Sequence, residues 1–425
     1  MKIRKTLFLK SCFKTVPVAM MFMFVSCNKD TSETDLGAEQ QNTPDILQTL
    51  ARNTAVFSLV NISPVDIDNT CDISESPVHN ASTEALRNYA GVLNTTLTSA
   101  DRETHLERIF DLVSDFNTFS FLGLRDPVGE PYREVVEHHE NRLRALWDMN
   151  EDEIIISGIR SDFGTQERFD RALEQIVAND VYTGNPQRAF NYVYENYPGI
   201  FSHPYFTINA NAVTLQGTHY INLGDGMLDI LDNEAGDNGV LFVFAHEWAH
   251  LVQNNNENWE RDYEGEPTTA EITRFKEIEA DFLSAYYLCL NDDKGGVGLD
   301  WETMSRVSEM VAGIGDCNFE SDGHHGTPNH RRAAAWLGYR IAAGHVNTGL
   351  TGDIKFTAQQ LHTLLMAVFE NILRNEYVEP EQLQRPFFED QELNAIYNEL
   401  VRDKDELWKI YRGSTGKEES ISSIK

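Results

Sequence analysis

Apolar and polar positions along most of the chain recur with the 3.6-residue period of an amphipathic helix. Segments 82–94, 102–115, 132–148 and 165–178 each carry apolar residues at that spacing, which predicts four helices in the first half. Stretches rich in Gly, Pro and Asp punctuate them, at Pro127-Val128-Gly129 and Ser161-Asp162-Phe163-Gly164. Period-two alternation is confined to two short runs, 205–208 and 220–223, with Leu215-Gln216-Gly217 as a turn between them. Segment 240–253 then reads VLFVFAHEWAHLVQ, apolar on nearly every side, which predicts a helix buried all round. Thr268 and Glu271 have the spacing of a capping box and open a helix that continues through 275–290. Further helices are expected over 301–314, 331–343, 357–374 and 389–410. The expectation is a helix-dominated α+β fold. A mainly helical region spans 46–200, a core 201–345 and C-terminal helices 346–412, with a polar, disordered tail from 413.

The buried helix carries the chemistry. His246, Glu247 and His250 stand in the order H-E-x-x-H. Positions i and i+4 lie on one helix face, so both imidazoles can reach one metal ion, and Glu247 is placed to act on water beside it. Two neutral nitrogens and a carboxylate base are what a zinc hydrolase requires. The helix that starts at Thr268 offers a third ligand. Glu277 and Asp281 again stand at i and i+4, so Glu277 can complete the set while Asp281 accepts the second ring N–H of a ligand histidine. Glu279 is the rival ligand, but it has no acidic partner four residues on.

H-E-x-x-H followed at short distance by E-x-x-A-D resembles the gluzincin metallopeptidases, above all the HtpX-like family that includes the CAAX prenyl proteases. Asn211-Ala212, Gly217 and the run HYINLGDGMLDIL from His219 to Leu231 resemble that family's segment ahead of the zinc helix. The bacterial neutral zinc metallopeptidases are a second relative by resemblance, sharing H-E-x-x-H-x-V-Q and an H-G-T segment like His325-Gly326-Thr327. The likeness extends from Asn209 to Tyr339. It implies a zincin core, one Zn²⁺ per chain and a peptide or protein substrate. It also implies that Tyr220, Ile221, Asn222 and Leu223 form an edge strand to which an extended peptide adds.

A peptidase of this kind needs a donor to steady the oxyanion. Three histidines and two arginines between His324 and Arg332 are unusual in so acidic a chain, and His325, His330 or Arg331 could serve. Tyr286 and Tyr287 read as core. His138-His139-Glu140 has no ligand four residues on and reads as a solvated helix face.

The first 27 residues hold Lys2, Arg4, Lys5, Lys10 and Lys14, then an apolar run, then Ser26-Cys27, the layout of a secretory signal. Phe24-Val25-Ser26-Cys27 resembles a lipobox, so Cys27 is expected to be acylated. Residues 28–45 are polar and acidic and read as a tether. That places the protein as a bacterial outer-membrane lipoprotein, periplasmic or surface-exposed, touching the membrane only through its anchor. The formal charge of −32 repels phosphates, which excludes nucleic acid as a partner. Of the remaining cysteines, Cys289 with Cys317 is the expected bridge. The functional expectation is a zinc endopeptidase of the bacterial cell envelope. Its alternative is a non-catalytic, zinc-stabilised lipoprotein acting as a scaffold or binding protein.

Overall fold

The computed structural model describes residues 112–373 apart from 114–115, 161–164, 179–185, 197–200, 202, 216, 257–267, 318, 320–323 and 348–354, together with 71, 76, 80, 81 and 84. Cys27, the signal and tether expected on either side of it, the expected helix 389–410 and the expected tail lie outside the described residues. So do nearly all of 82–94 and 102–115.

Two helices and a three-stranded sheet hold the centre. In chain order the elements are α1 (Arg133–Leu146), β1 (Ile154–Ile159), α2 (Gln166–Ala178), α3 (Pro186–Asn196), β2 (Ala210–Leu215), β3 (Thr218–Gly224), α4 (Asp225–Ala235), α5 (Asp237–Asn255), α6 (Thr269–Cys289), α7 (Trp301–Ala312), α8 (Pro328–Asn347) and α9 (Ala358–Leu373). The described residues are thus helix-dominated with a small sheet, an α+β architecture.

The sheet order is β1-β3-β2, with β1 parallel and β2 antiparallel to β3. Gly217, at φ 85°, closes the β2–β3 hairpin, a conformation that only glycine adopts without cost. Two expectations fail here. Tyr220 to Leu223 are not an edge strand: β3 is paired on both sides, Ile221 facing Ile156 on one neighbour and Ala212 on the other. Nor is 205–208 a strand. Pro204–Thr207 form a 3-10 turn, because Pro204 at its start pre-sets φ and the His203 side chain accepts from the Tyr205 N–H at 3.2 Å. The strand that pairs with β3 lies five residues further on, at β2.

The faces of the sheet are distinct. Ala210, Ala212, Ile221 and Leu223 join the main core under α4 and α5, whereas Val213, Leu215 and Tyr220 pack with Phe121 on the other face. Ahead of the sheet, α2 and α3 gather a separate aromatic core in which the Phe116 and Phe169 rings stack 4.8 Å apart beside Phe190 and Phe201.

As its composition requires, α5 is buried along every residue from Gly239 to Gln253. Gly236, at φ 63°, turns the chain between α4 and α5 and donates its N–H to the Asp232 carbonyl at 2.8 Å. The capping box predicted for α6 is present in both directions: the Thr268 hydroxyl accepts from the Glu271 N–H, and the Glu271 carboxylate accepts from the Thr268 N–H at 2.8 Å. Behind α6 lies α8, at very close range. A Cβ on Gly338 would sit 2.7 Å from the Ala285 Cβ, so even alanine there would push the two helices apart.

The disulfide joins Cys71 to Cys317, with Cα atoms 5.6 Å apart, and Cys289 is a buried free thiol. The expected Cys289–Cys317 bridge is therefore wrong. Cys289 sits in the main core at the end of α6, where burial pushes its thiol pKa up, whereas Cys317 lies on the loop beyond α7 against residue 71.

Candidate metal centre

The helical periods of α5 and α6 bring His246, His250 and Glu277 together in the buried interior. Their ligand atoms all lie within 4.8 Å of one another. His246 Nε2 is 3.1 Å from His250 Nε2 and 3.2 Å from Glu277 Oε2, and His250 Nε2 is 3.5 Å from Glu277 Oε1.

The opposite ring nitrogens decide what these atoms want. His246 Nδ1 meets Asp281 Oδ1 at 2.9 Å and His250 Nδ1 meets Gln253 Oε1 at 2.8 Å, so both Nδ1 atoms are committed to donating. Both Nε2 atoms then converge on each other and on the two oxygens of the Glu277 carboxylate. Three electron-rich groups in a dry pocket need a shared cation. In the metal-free protein a proton fills that role. Burial alone lowers the His246 pKa, but its bonds to Asp281 and Glu277 override this and raise it to about 10. Glu277 is likewise opposed by burial, yet the two histidines hold it well below the usual carboxylate range. The donor set fits a divalent metal, with the identity of the ion left open by nitrogen and oxygen ligands alone.

Asp281 takes its predicted place, and the structure adds what holds it there. Arg331, on the first turn of α8, grips both carboxylate oxygens, Nε to Oδ2 at 2.7 Å and Nη2 to Oδ1 at 2.8 Å. The pair is buried, and Arg331 Nη2 also lies 3.9 Å from Glu277 Oε2. The guanidinium is thus an anchor for the orienting carboxylate.

Glu247 is 1 % exposed and its Oε1 has no hydrogen-bond partner. Burial raises its pKa, partly offset by the charges of His246 and His250. That gives a carboxylate with increased proton affinity beside the ligand cluster, the property a general base needs.

The loop between α7 and α8 separates its histidines. Asp316 accepts from the His325 backbone N–H at 2.7 Å and binds the two rings, His324 Nδ1 at 2.7 Å and His325 Nδ1 at 3.3 Å. Burial would raise the Asp316 pKa, but these bonds hold it far below the ordinary range. For His325 the balance is opposite: burial lowers its pKa, while Asp316 and the charge of Glu277 raise it. His325 is therefore within electrostatic reach of the candidate ligands. His330 is not an oxyanion donor. Its Nδ1 accepts from the Thr327 N–H at 3.4 Å and its Nε2 is 3.3 Å from the Leu373 carbonyl, so the ring braces the start of α8 against α9.

Glu279, the rival ligand, faces the other way and meets His362 Nδ1 at 2.7 Å. His139 is half-buried rather than solvated, with Nδ1 2.7 Å from the Tyr287 hydroxyl, and burial lowers its pKa to about 4. Tyr286 is core, its hydroxyl accepting from the Phe356 N–H at 3.2 Å. Sequence reasoning missed the second acceptor, Gln253, although its place three residues beyond His250, on the same helix face, was visible.

No protein-family model, curated protein or solved structure matches this chain. The functional reading rests on the residues themselves.

Proposed function

We propose that the protein is a zinc-dependent endopeptidase with a gluzincin-type core. The observation that carries this is the pairing of a three-member ligand group with Glu247, a buried carboxylate beside it whose Oε1 has no hydrogen-bond partner among the described residues. A structural site closed by four protein ligands has no use for such a base, and among the described residues the group has three members. The scaffold reading gains no observation of its own.

Bound at His246, His250 and Glu277, a zinc ion would act as a Lewis acid that polarises a carbonyl and lowers the pKa of water. Glu247 takes the proton from the attacking water and returns it to the leaving amine. Asp281, held by Arg331, keeps the His246 Nδ1 proton in place and turns Nε2 toward His250 and Glu277. His325, held by Asp316, donates toward the oxygen that becomes negative in the tetrahedral intermediate. An extended peptide would align along β2, the outer strand of the described sheet, which packs directly against α5. The proposed setting is the bacterial envelope, through acylation at Cys27.

The test is cleavage of an unbiased peptide mixture by the zinc-loaded chain beside Glu247→Gln. Cutting by the wild type alone supports the proposal. Equal cutting by both, or none by either despite bound zinc, sinks it.

A further inference from the structure

The two ligand histidines are not supported alike. Behind His246 stands one ion pair, Asp281 with Arg331. Behind His250 runs a chain of three buried side chains that crosses three helices and ends on α9, far outside the H-E-x-x-H segment. His250 Nδ1 meets Gln253 Oε1 at 2.8 Å. Gln253 Nε2 donates to the Lys276 carbonyl at 2.9 Å and to Glu279 Oε2 at 3.0 Å, and Glu279 Oε1 meets His362 Nδ1 at 2.7 Å. Glu279 and His362 are fully buried, and Gln253 is 8 % exposed.

The direction of this chain is set by donor and acceptor counting. An amide NH₂ can only donate and a carboxylate or peptide carbonyl can only accept. With two acceptors on one side of Gln253, its NH₂ must face them, so its oxygen must face His250. That oxygen cannot donate, so the proton of a neutral His250 must sit on Nδ1 and the lone pair on Nε2, toward Glu277 and His246. Reversing the amide would set its oxygen against two acceptors and its NH₂ against the ring, which costs the bonds at both ends. The Lys276 carbonyl and Glu279 together make the orientation one-sided, and the His362 imidazole, packed edge-on against Phe275 with ring centres 6.1 Å apart, holds the Glu279 carboxylate in place.

We infer that Gln253, Glu279 and His362 are positioning residues for the metal, a relay that locks the His250 tautomer and makes the grip of the site depend on helix α9. The inference rests on His246, His250 and Glu277 binding a metal. It assigns to Glu279, which stands two residues from a ligand, and to His362, which lies 112 residues along the chain from His250, a role that neither spacing nor motif indicates.

The test uses the full chain with Gln253→Met, His362→Phe and Glu279→Gln. Three readouts are taken: Zn²⁺ affinity by competition with a chromophoric chelator, the Co²⁺ absorption spectrum, and the His250 ring N–H proton resonance in the metal-free protein. Gln253→Met is expected to weaken Zn²⁺ binding roughly 10- to 100-fold, to alter the Co²⁺ bands and to lose the protected N–H signal. His362→Phe preserves the aromatic packing and is expected to lose affinity in the same direction by a smaller factor. Glu279→Gln leaves one acceptor oxygen where the carboxylate has two, so it cannot accept from both Gln253 and His362 and is expected to lose affinity in the same direction. Thermal melts separate these effects from misfolding, and His362→Phe carries the test if Gln253→Met does not fold. Wild-type affinity and an unchanged Co²⁺ spectrum in both Gln253→Met and His362→Phe would overturn the relay. A wild-type chain that binds no Zn²⁺ would instead overturn the metal reading, while a Gln253-dependent ring N–H would still show His250 held as described.

Discussion

Replacing Arg331 by methionine removes the guanidinium that grips Asp281 and approaches Glu277. Both partners of the pair are at most 1 % exposed, and the contact is bidentate at 2.7 and 2.8 Å. Burial opposes the charge on Arg331, but the Asp281 carboxylate more than restores it and raises its pKa further. Deleting one side of a buried ion pair leaves the other charge without compensation, at a cost of about 3–5 kcal/mol. For a domain of this size each kcal/mol moves the melting temperature by roughly 2–4 °C, so the metal-free variant is expected to melt about 6–20 °C below wild type. The double variant Arg331→Met with Asp281→Leu removes both buried charges and should recover a large part of the loss, although His246 then lacks its anchor. The assay is thermal and urea unfolding of the metal-free chain, followed by far-UV circular dichroism. A loss below about 1 kcal/mol for Arg331→Met, or a double variant no better than the single, would refute the view that Arg331 compensates Asp281.

Proton and metal compete for His246. Because its metal-free pKa is about 10, Zn²⁺ uptake at neutral pH should release a proton, and apparent affinity should rise with pH through this range; calorimetry in buffers of different ionisation enthalpy counts the proton. The same raised pKa sets the sign for stability without metal. The contribution is complete below the unfolded value near 6.5 and lost as pH rises through about 10, so the metal-free protein should weaken toward alkaline pH while the zinc form holds. His139, lowered to about 4 by burial, acts in the other direction: the unfolded chain binds its proton first, and stability should fall as pH drops from about 6.5 toward 4, an effect that His139→Gln reduces in acid titrations. The Cys71–Cys317 bridge closes a separation of 246 residues, so Cys71→Ser should cost roughly 2–5 kcal/mol in unfolding assays. Cys289→Ser should leave the disulfide intact by mass spectrometry.

The chemistry was far more legible in the sequence than the topology around it. A helix has a fixed period, so H-E-x-x-H and the Glu277/Asp281 pair each place their side chains on one face whatever the surroundings. The period also turns Glu279 away from Glu277, toward His362. Thr268 and Glu271 were equally readable because a capping box is satisfied within four residues. What stayed hidden depends on partners distant in sequence. β1 is a short apolar run, Ile154–Ile159, inside a region of helical pattern, and its ladder partner begins at His219. Without β1, β3 reads as an edge; with it, β3 is central. The disulfide eluded spacing arguments because Cys71 and Cys317 meet only once the chain has folded back. Arg331 was visible as a candidate donor, but only the docking of α8 on α6 shows that its guanidinium is committed to Asp281.

The most direct measurement is the zinc content of the purified full chain beside its His246→Ala, Glu277→Ala and Glu247→Gln variants, after dialysis against a weak chelator. The account predicts one Zn²⁺ per chain in wild type and Glu247→Gln, and little or none in the other two. Wild type without zinc, or zinc retained in full when His246 or Glu277 is removed, would contradict it.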